Sequence, residues 1–284
     1  MNSSQNRAFE WVSQDLQPYV LCFFIALAVT RFFFVLWPKF KIFGQAAAEN
    51  RFNQPLTRLW NTIRIAFFQT KILKERKSGW MHALIFWGFI VLLVRAGWFF
   101  FIGFFPTMEF SASGITTSYA FLKDLFVVLV SLAVSYALYR RVVTKPERLT
   151  LSIEGIVILA LIFLIMVSDA LFDAGWQARN PELSFSAIWV GSLIAPMLKV
   201  LNIDTVIHIH NLAYWTHIVC VLYFVTLLPS SKHLHIVTSI PNVFFSRVPE
   251  VGNGLHRIDF EDEEQERYGV SKINEFSWKK LLDL

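Results

Sequence analysis

The chain has 284 residues, of which 55% are hydrophobic and only 17% charged, and Phe alone supplies 29. Soluble domains carry roughly 25% charged residues, so this composition excludes an ordinary soluble domain. The net charge of +5 is no nucleic-acid signature, because the basic residues stand between apolar runs, where they orient a membrane protein.

Five apolar spans follow one another along the chain. The first covers about Tyr19 to Trp37, the second about His82 to Phe105 and the third about Tyr119 to Tyr139. The fourth covers about Ile153 to Phe172, and the fifth starts near His210 and passes Leu228. Each approaches the roughly 20 residues needed to cross a bilayer. Backbone polar groups cannot stay unpaired in lipid, so each should be an α-helix. The expected fold is an all-α membrane protein, a five-transmembrane-helix bundle over residues 1–245, followed by a tail over 246–284. The N-terminus shows no secretory cleavage pattern, so the first span is expected to be retained.

Charge sets the expected orientation. Nine Lys or Arg lie between Pro38 and Met81, among them Lys71, Lys74, Arg76 and Lys77. Arg140, Arg141, Lys145 and Arg148 follow the third span, whereas Pro106 to Ser118 has no basic residue and Asp173 to Thr205 only Arg179 and Lys199. Positive loops remain cytoplasmic, which puts the N-terminus outside and the C-terminal tail inside a prokaryotic cytoplasmic membrane. Within the first inner loop, Leu56 to Leu73 reads as an amphipathic helix with Leu59, Ile63, Ala66 and Phe67 on one side. It would lie along the inner membrane surface or dock on a cytoplasmic partner. The tail collects Asp259, Glu261, Asp262, Glu263, Glu264 and Glu266, the pattern of a solvated acidic segment.

Chemistry-bearing residues are few. Cys22 and Cys220 form no paired motif and read as packing residues. Arg95 and Asp169 fall inside the second and fourth spans, where ionisable groups are costly and candidates for function. They could pair with each other, meet a haem propionate, or serve a quinone site. Lys123 and Asp124 read as boundary residues of the third span. The histidines are uneven. His82 begins the second span, and His208, His210, His217, His233 and His235 gather on or beside the fifth. Imidazoles from facing helices hold haem iron in bundles. His217 and His235 are 18 residues apart, which is five turns of a continuous helix and ~27 Å. By the charge-based orientation, His82 and His235 share the cytoplasmic end and could bind one iron. Interfacial histidines without a cofactor are the alternative.

Two resemblances extend this reading. The stretch from His217 through Pro229, Ser231 and Lys232 to His235 resembles the last helix of the gamma subunit of respiratory nitrate reductase, whose two haem-ligating histidines have that spacing. Across most of the chain, Phe43-Gly44-Gln45, Asn50-Arg51-Phe52, Gly79-Trp80-Met81-His82 and Ile85-Phe86-Trp87-Gly88-Phe89 resemble the membrane half of heterodisulfide-reductase-related iron–sulfur oxidoreductases. That family includes the electron-transfer-flavoprotein:menaquinone oxidoreductases. Phe276-Ser277-Trp278-Lys279-Lys280-Leu281-Leu282-Asp283-Leu284 resembles their linker into a ferredoxin-like domain. The resemblance implies haem b on His82 and His235, electron transfer with the membrane quinone pool, and a cytoplasmic iron–sulfur or electron-transfer-flavoprotein partner. It departs in two places. The residue ten after His82, a second histidine in the gamma subunit, is Leu92 here. A second haem at His217 would therefore need His210, a non-histidine ligand or an open position. No cysteine motif for iron–sulfur clusters exists, so the clusters would sit on a partner or a missing domain. A non-redox transporter or assembly scaffold is the rival reading.

A reporter fused after Leu284 should be cytoplasmic. An exported reporter would reverse every span and separate the depths of His82 and His235.

Overall fold

A computed structural model describes residues 12–13, 15–106, 114–147, 149–180, 187–248 and 272–283. The acidic stretch Asp259 to Glu266, and His256, lie outside the described residues. Helix dominates, and the β-structure among these residues is one isolated bridge between Ala47 and Ser277. The helices are α1 (Gln17–Phe43), α2 (Pro55–Thr62), α3 (Arg76–Phe104), α4 (Gly114–Tyr139), α5 (Ile153–Arg179), α6 (Trp189–Leu198), α7 (Ile203–Leu227), α8 (His235–Phe244) and α9 (Trp278–Asp283). Five of them, α1, α3, α4, α5 and α7, are long and apolar enough to cross a membrane. The all-α, five-span architecture expected from hydropathy is the one observed.

The chain forms two compact units. The first comprises residues up to Thr30 and Glu75–Thr226. Its core joins Leu21 of α1, Phe99 and Ile102 of α3, Phe172 of α5, and Ala213, Tyr214 and Ile218 of α7. Val127, Val130 and Val134 of α4 pack with Leu159 and Met166 of α5 in a second cluster. In lipid the helices gain little from excluding water, so close packing over small residues holds them. Gly191 of α6 lies so near α5 that a Cβ there would stand 3.0–3.1 Å from Asp173 and the backbone of Ala174. Gly88 of α3 likewise leaves room for the Val130 side chain of α4.

The second unit comprises Arg31–Lys74 and Leu227–Leu284. Here the segment expected as one amphipathic helix is α2 plus a π-turn over Ile63–Phe67, and Gln69, with φ 54, turns the chain away. Leu56, Leu59 and Trp60 are exposed, whereas Arg58 is buried. Its Nε donates to the Asn53 carbonyl at 2.6 Å and its Nη1 donates to the carbonyls of Phe244 and Ser246 at 3.2 and 2.6 Å. A guanidinium thus satisfies carbonyls at the end of α8 that the helix itself leaves unpaired. The final segment adds to the same unit. Ala47 N–H donates to the Phe276 carbonyl at 2.8 Å, and Trp278 Nε1 donates to the Glu49 carbonyl at 2.8 Å.

One expectation is corrected. His217 and His235 do not share a continuous helix. α7 ends at Leu227, a 3-10 turn covers Leu228–Ser230, and Ser231 is extended at φ −120 and ψ 168. Pro229 lacks an N–H, so α-helical hydrogen bonding cannot continue through it. Ser231 Oγ then accepts the His233 N–H at 3.1 Å and starts a new turn. The five-turn phase argument therefore does not apply. Lys39 Nζ donates to the Pro229 carbonyl at this break.

Gly191→Leu should destabilise the protein by about 1–3 kcal/mol, the usual cost of overpacking. Gly97→Leu, where a Cβ meets nothing within 4 Å, should not. Thermal melts of the detergent-solubilised variants compare them, and equal melting points would contradict the packing described.

Candidate functional site

The first unit gathers five charged side chains in one network, four of them buried and Arg95 nearly so. Arg95 of α3 donates from Nε to Asp169 Oδ1 at 2.6 Å and from Nη2 to Asp173 Oδ1. Lys123 of α4 donates from Nζ to Asp169 Oδ2 at 3.0 Å and to Asp173 Oδ2 at 2.6 Å, and also pairs with Asp124. Asp169 and Asp173 are one turn apart on α5, so a single helix face offers both carboxylates. Lys123, Asp124 and Asp169 are 2% exposed or less.

Two cations face three carboxylates, and the geometry shows what holds the third. Asp124 Oδ2 accepts the backbone N–H of Val190 at 2.7 Å. Val190 is in the first turn of α6, whose positive helix end favours a carboxylate. The oxygens of Asp124, Asp169 and Asp173 lie within 4.8 Å of one another, a spacing that could hold a metal ion. Lys123 Nζ contacts all three and takes the position such an ion would have. Aromatic faces close over the guanidinium, with Arg95 Cζ 4.8 Å from the Phe99 ring centre and 5.7 Å from that of Phe172.

His217 borders this network. Its ring stacks on Phe99 with centres 4.0 Å apart and planes 9° from parallel. Its Nδ1 lies 3.2 Å from Ser168 Oγ, and that hydroxyl donates to the Ile165 carbonyl at 2.9 Å. With the hydroxyl proton so committed, Nδ1 is the donor and Nε2 carries the lone pair. His210, two turns earlier on α7, donates from Nδ1 to the Phe172 carbonyl at 2.9 Å and stacks on the Phe172 ring. Gly175 of α5 admits it, since a Cβ there would meet His210 Cβ at 2.9 Å.

The structure thus brings Arg95 and Asp169 together, with His217 beside them. Mutual pairing is the one of their three sequence-level roles that it shows. His82 stands in the second turn of α3, 13 residues and roughly 20 Å along the axis from Arg95. His235 opens α8 in the second unit, exposed, and donates from Nδ1 to the Lys232 carbonyl at 2.8 Å. Its Nε2 therefore carries the lone pair that a metal would need. Sequence reading missed Lys123, Asp124 and Asp173. The signal available was the Asp169–Asp173 spacing, which repeats one helical turn and so offers two carboxylates to any cation on a neighbouring helix.

This chain is similar to iron–sulfur oxidoreductases. It is 32% identical over 269 residues to the probable iron–sulfur-binding oxidoreductase FadF of Bacillus subtilis (strain 168), covering 94% of this chain and 36% of that protein. It is 29% identical over 300 residues to the EtfAB:quinone oxidoreductase of Syntrophomonas wolfei, covering 98% of this chain and 39% of that protein. The chain therefore spans well under half the length of the curated relatives it matches. No family model matches it, and no solved structure matches it.

Asp169→Ala should cost about 3–5 kcal/mol, because it leaves Arg95 and Lys123 short of a partner in a buried site. That corresponds to a fall in Tm of roughly 10 °C. Adding Lys123→Met should deepen the loss, since Asp124 then loses the cation that pairs with it and an unpaired buried charge is costly. An unchanged melt for the single variant would show that the network does not hold the helices together.

Proposed function

We propose that this chain is the haem b-bearing membrane part of a quinone-linked oxidoreductase. It relays electrons between a cytoplasmic iron–sulfur or flavoprotein partner, such as an electron-transfer flavoprotein, and the membrane quinone pool. The observation that carries the proposal is similarity over 98% of the chain to a protein named an EtfAB:quinone oxidoreductase, in a chain with five apolar spans.

His82 and His235 are the proposed axial ligands of one haem. The hydrogen bond from His235 Nδ1 to the Lys232 carbonyl supports the assignment, because it fixes the tautomer with the lone pair on Nε2. Two imidazoles are a ligand pair that suits haem iron. When bound, haem supplies one-electron transfer, and the protein sets its ligands, dielectric and distance from the partner. His217 is the candidate ligand for a second haem. Leu92 offers it no partner, but His210 is two turns away on the same helix with its Nδ1 also committed as a donor. Arg95 and Asp169 would form the polar wall beside His217 against which a quinone head group or propionate sits. The chain contains only two cysteines, too few for a four-cysteine cluster, so the iron–sulfur clusters belong to the partner or to a further domain. A non-redox transporter or scaffold is the reading that the buried polar network would also suit.

A reduced-minus-oxidised visible spectrum of the purified chain separates the two. A low-spin b-type signal is expected, lost in His82→Ala and in His235→Ala and largely kept in His217→Ala. A haem-supplied preparation without that signal would favour the transporter reading, and loss confined to His217→Ala would refute the ligand pair.

A further inference from the structure

A cleft of about 370 Å³ opens between the start of α3 and the end of α4 in the first unit. Arg76, Lys77 and Arg140 line it together with Ser78, Tyr136 and Tyr139. Among the described residues Glu75 is the one carboxylate lining it, and it accepts a hydrogen bond from Ser78 Oγ at 3.1 Å.

The local electrostatics are unusual. Arg76 and Lys77 occupy the first turn of a 29-residue helix, the end whose dipole is already positive. That turn contains no acidic residue, and the Glu75 side chain makes no capping bond. Its N–H groups therefore donate to no carboxylate at the helix start, and Glu75 offsets only part of the positive charge there. Arg140 adds a third cation where α4 passes into a π-turn over Arg140–Thr144. A positive loop explains basic residues at a span end, but it does not require them to converge on a cleft at a helix N-terminus. An anion bound there offsets both the cations and the dipole.

The surroundings identify the anion. The cleft lies at one end of two spans whose flanks are apolar and exposed, with Trp80 of α3 and Leu132 of α4 among the outward residues. Tyrosine and tryptophan at that level mark a membrane–water boundary. A ligand with a negative head and acyl chains satisfies both the cleft and the flank below it. We propose that this cleft binds the phosphate head group of an anionic phospholipid. Basic pockets between spanning helices suit such head groups.

The proposal rests on the membrane reading of the five spans, and the test separates the two. The full chain, purified in detergent, is titrated with phosphatidylglycerol or with phosphatidylcholine and followed by native mass spectrometry. One phosphatidylglycerol should be retained roughly tenfold more tightly than phosphatidylcholine. Arg76→Gln combined with Arg140→Gln should bring the two lipids level, while Lys41→Gln with Lys199→Gln, an equal loss of charge outside the cleft, should keep the preference. Equal retention by the native chain, or an unchanged preference in the cleft variant, overturns the proposal. Complete displacement by excess inorganic phosphate also overturns it, in favour of a simple anion site. Release of the chain from membranes by carbonate washing overturns both readings.

Discussion

The first unit depends on one ammonium group. Lys123 Nζ stands among three carboxylates contributed by α4 and α5, and Arg95 ties the same α5 carboxylates to α3. Charges so deeply buried lose several kcal/mol of hydration each, and only near-complete pairing repays it. The network therefore fixes rotation and depth of three helices that apolar packing alone would leave free to slide. Asp124 extends the constraint to α6 through the Val190 amide. His217 inherits its setting from this frame, since the Phe99 ring on which it stacks also covers the Arg95 guanidinium.

Much of this was legible in the sequence. Five spans follow from hydropathy because the bilayer leaves the backbone no alternative to helix. Arg95 and Asp169 stood out because each lies well inside an apolar run. Lys123 and Asp124 did not, for a physical reason. Hydropathy places the third span's start near Tyr119, whereas the described part of α4 already runs from Gly114, so Lys123 is at least roughly 14 Å into the helix. Polar Thr116, Thr117 and Ser118 lower the hydropathy of that stretch. Asp173 was hidden similarly, as α5 runs on to Arg179 past the apparent end of the fourth span.

The break after α7 was legible only in part. Pro229 signals interruption, but whether a proline kinks or ends a helix depends on what replaces the lost hydrogen bonds. Here the replacements are the Ser231 hydroxyl and the Lys39 ammonium, the latter 190 residues away in sequence. No local pattern reveals such a partner. Pro229, Ser231 and Lys232 each have a local role here: Pro229 ends the helical bonding, Ser231 starts the next turn, and the Lys232 carbonyl accepts from His235 Nδ1.

The order in which the charges leave the ribosome has a consequence for biogenesis. Arg95 and Lys123 are synthesised before Asp169 and Asp173, so α3 and α4 would enter a bilayer carrying cations that still lack the two α5 counterions. Each such charge near the middle of a span opposes insertion by about 2.5–3.5 kcal/mol on translocon scales. Asp124, adjacent to Lys123, supplies the only early neutralisation within α4. In a membrane, the two cation-bearing helices would therefore have to wait beside the insertion machinery until α5 arrives and the cations enter lipid paired with its carboxylates.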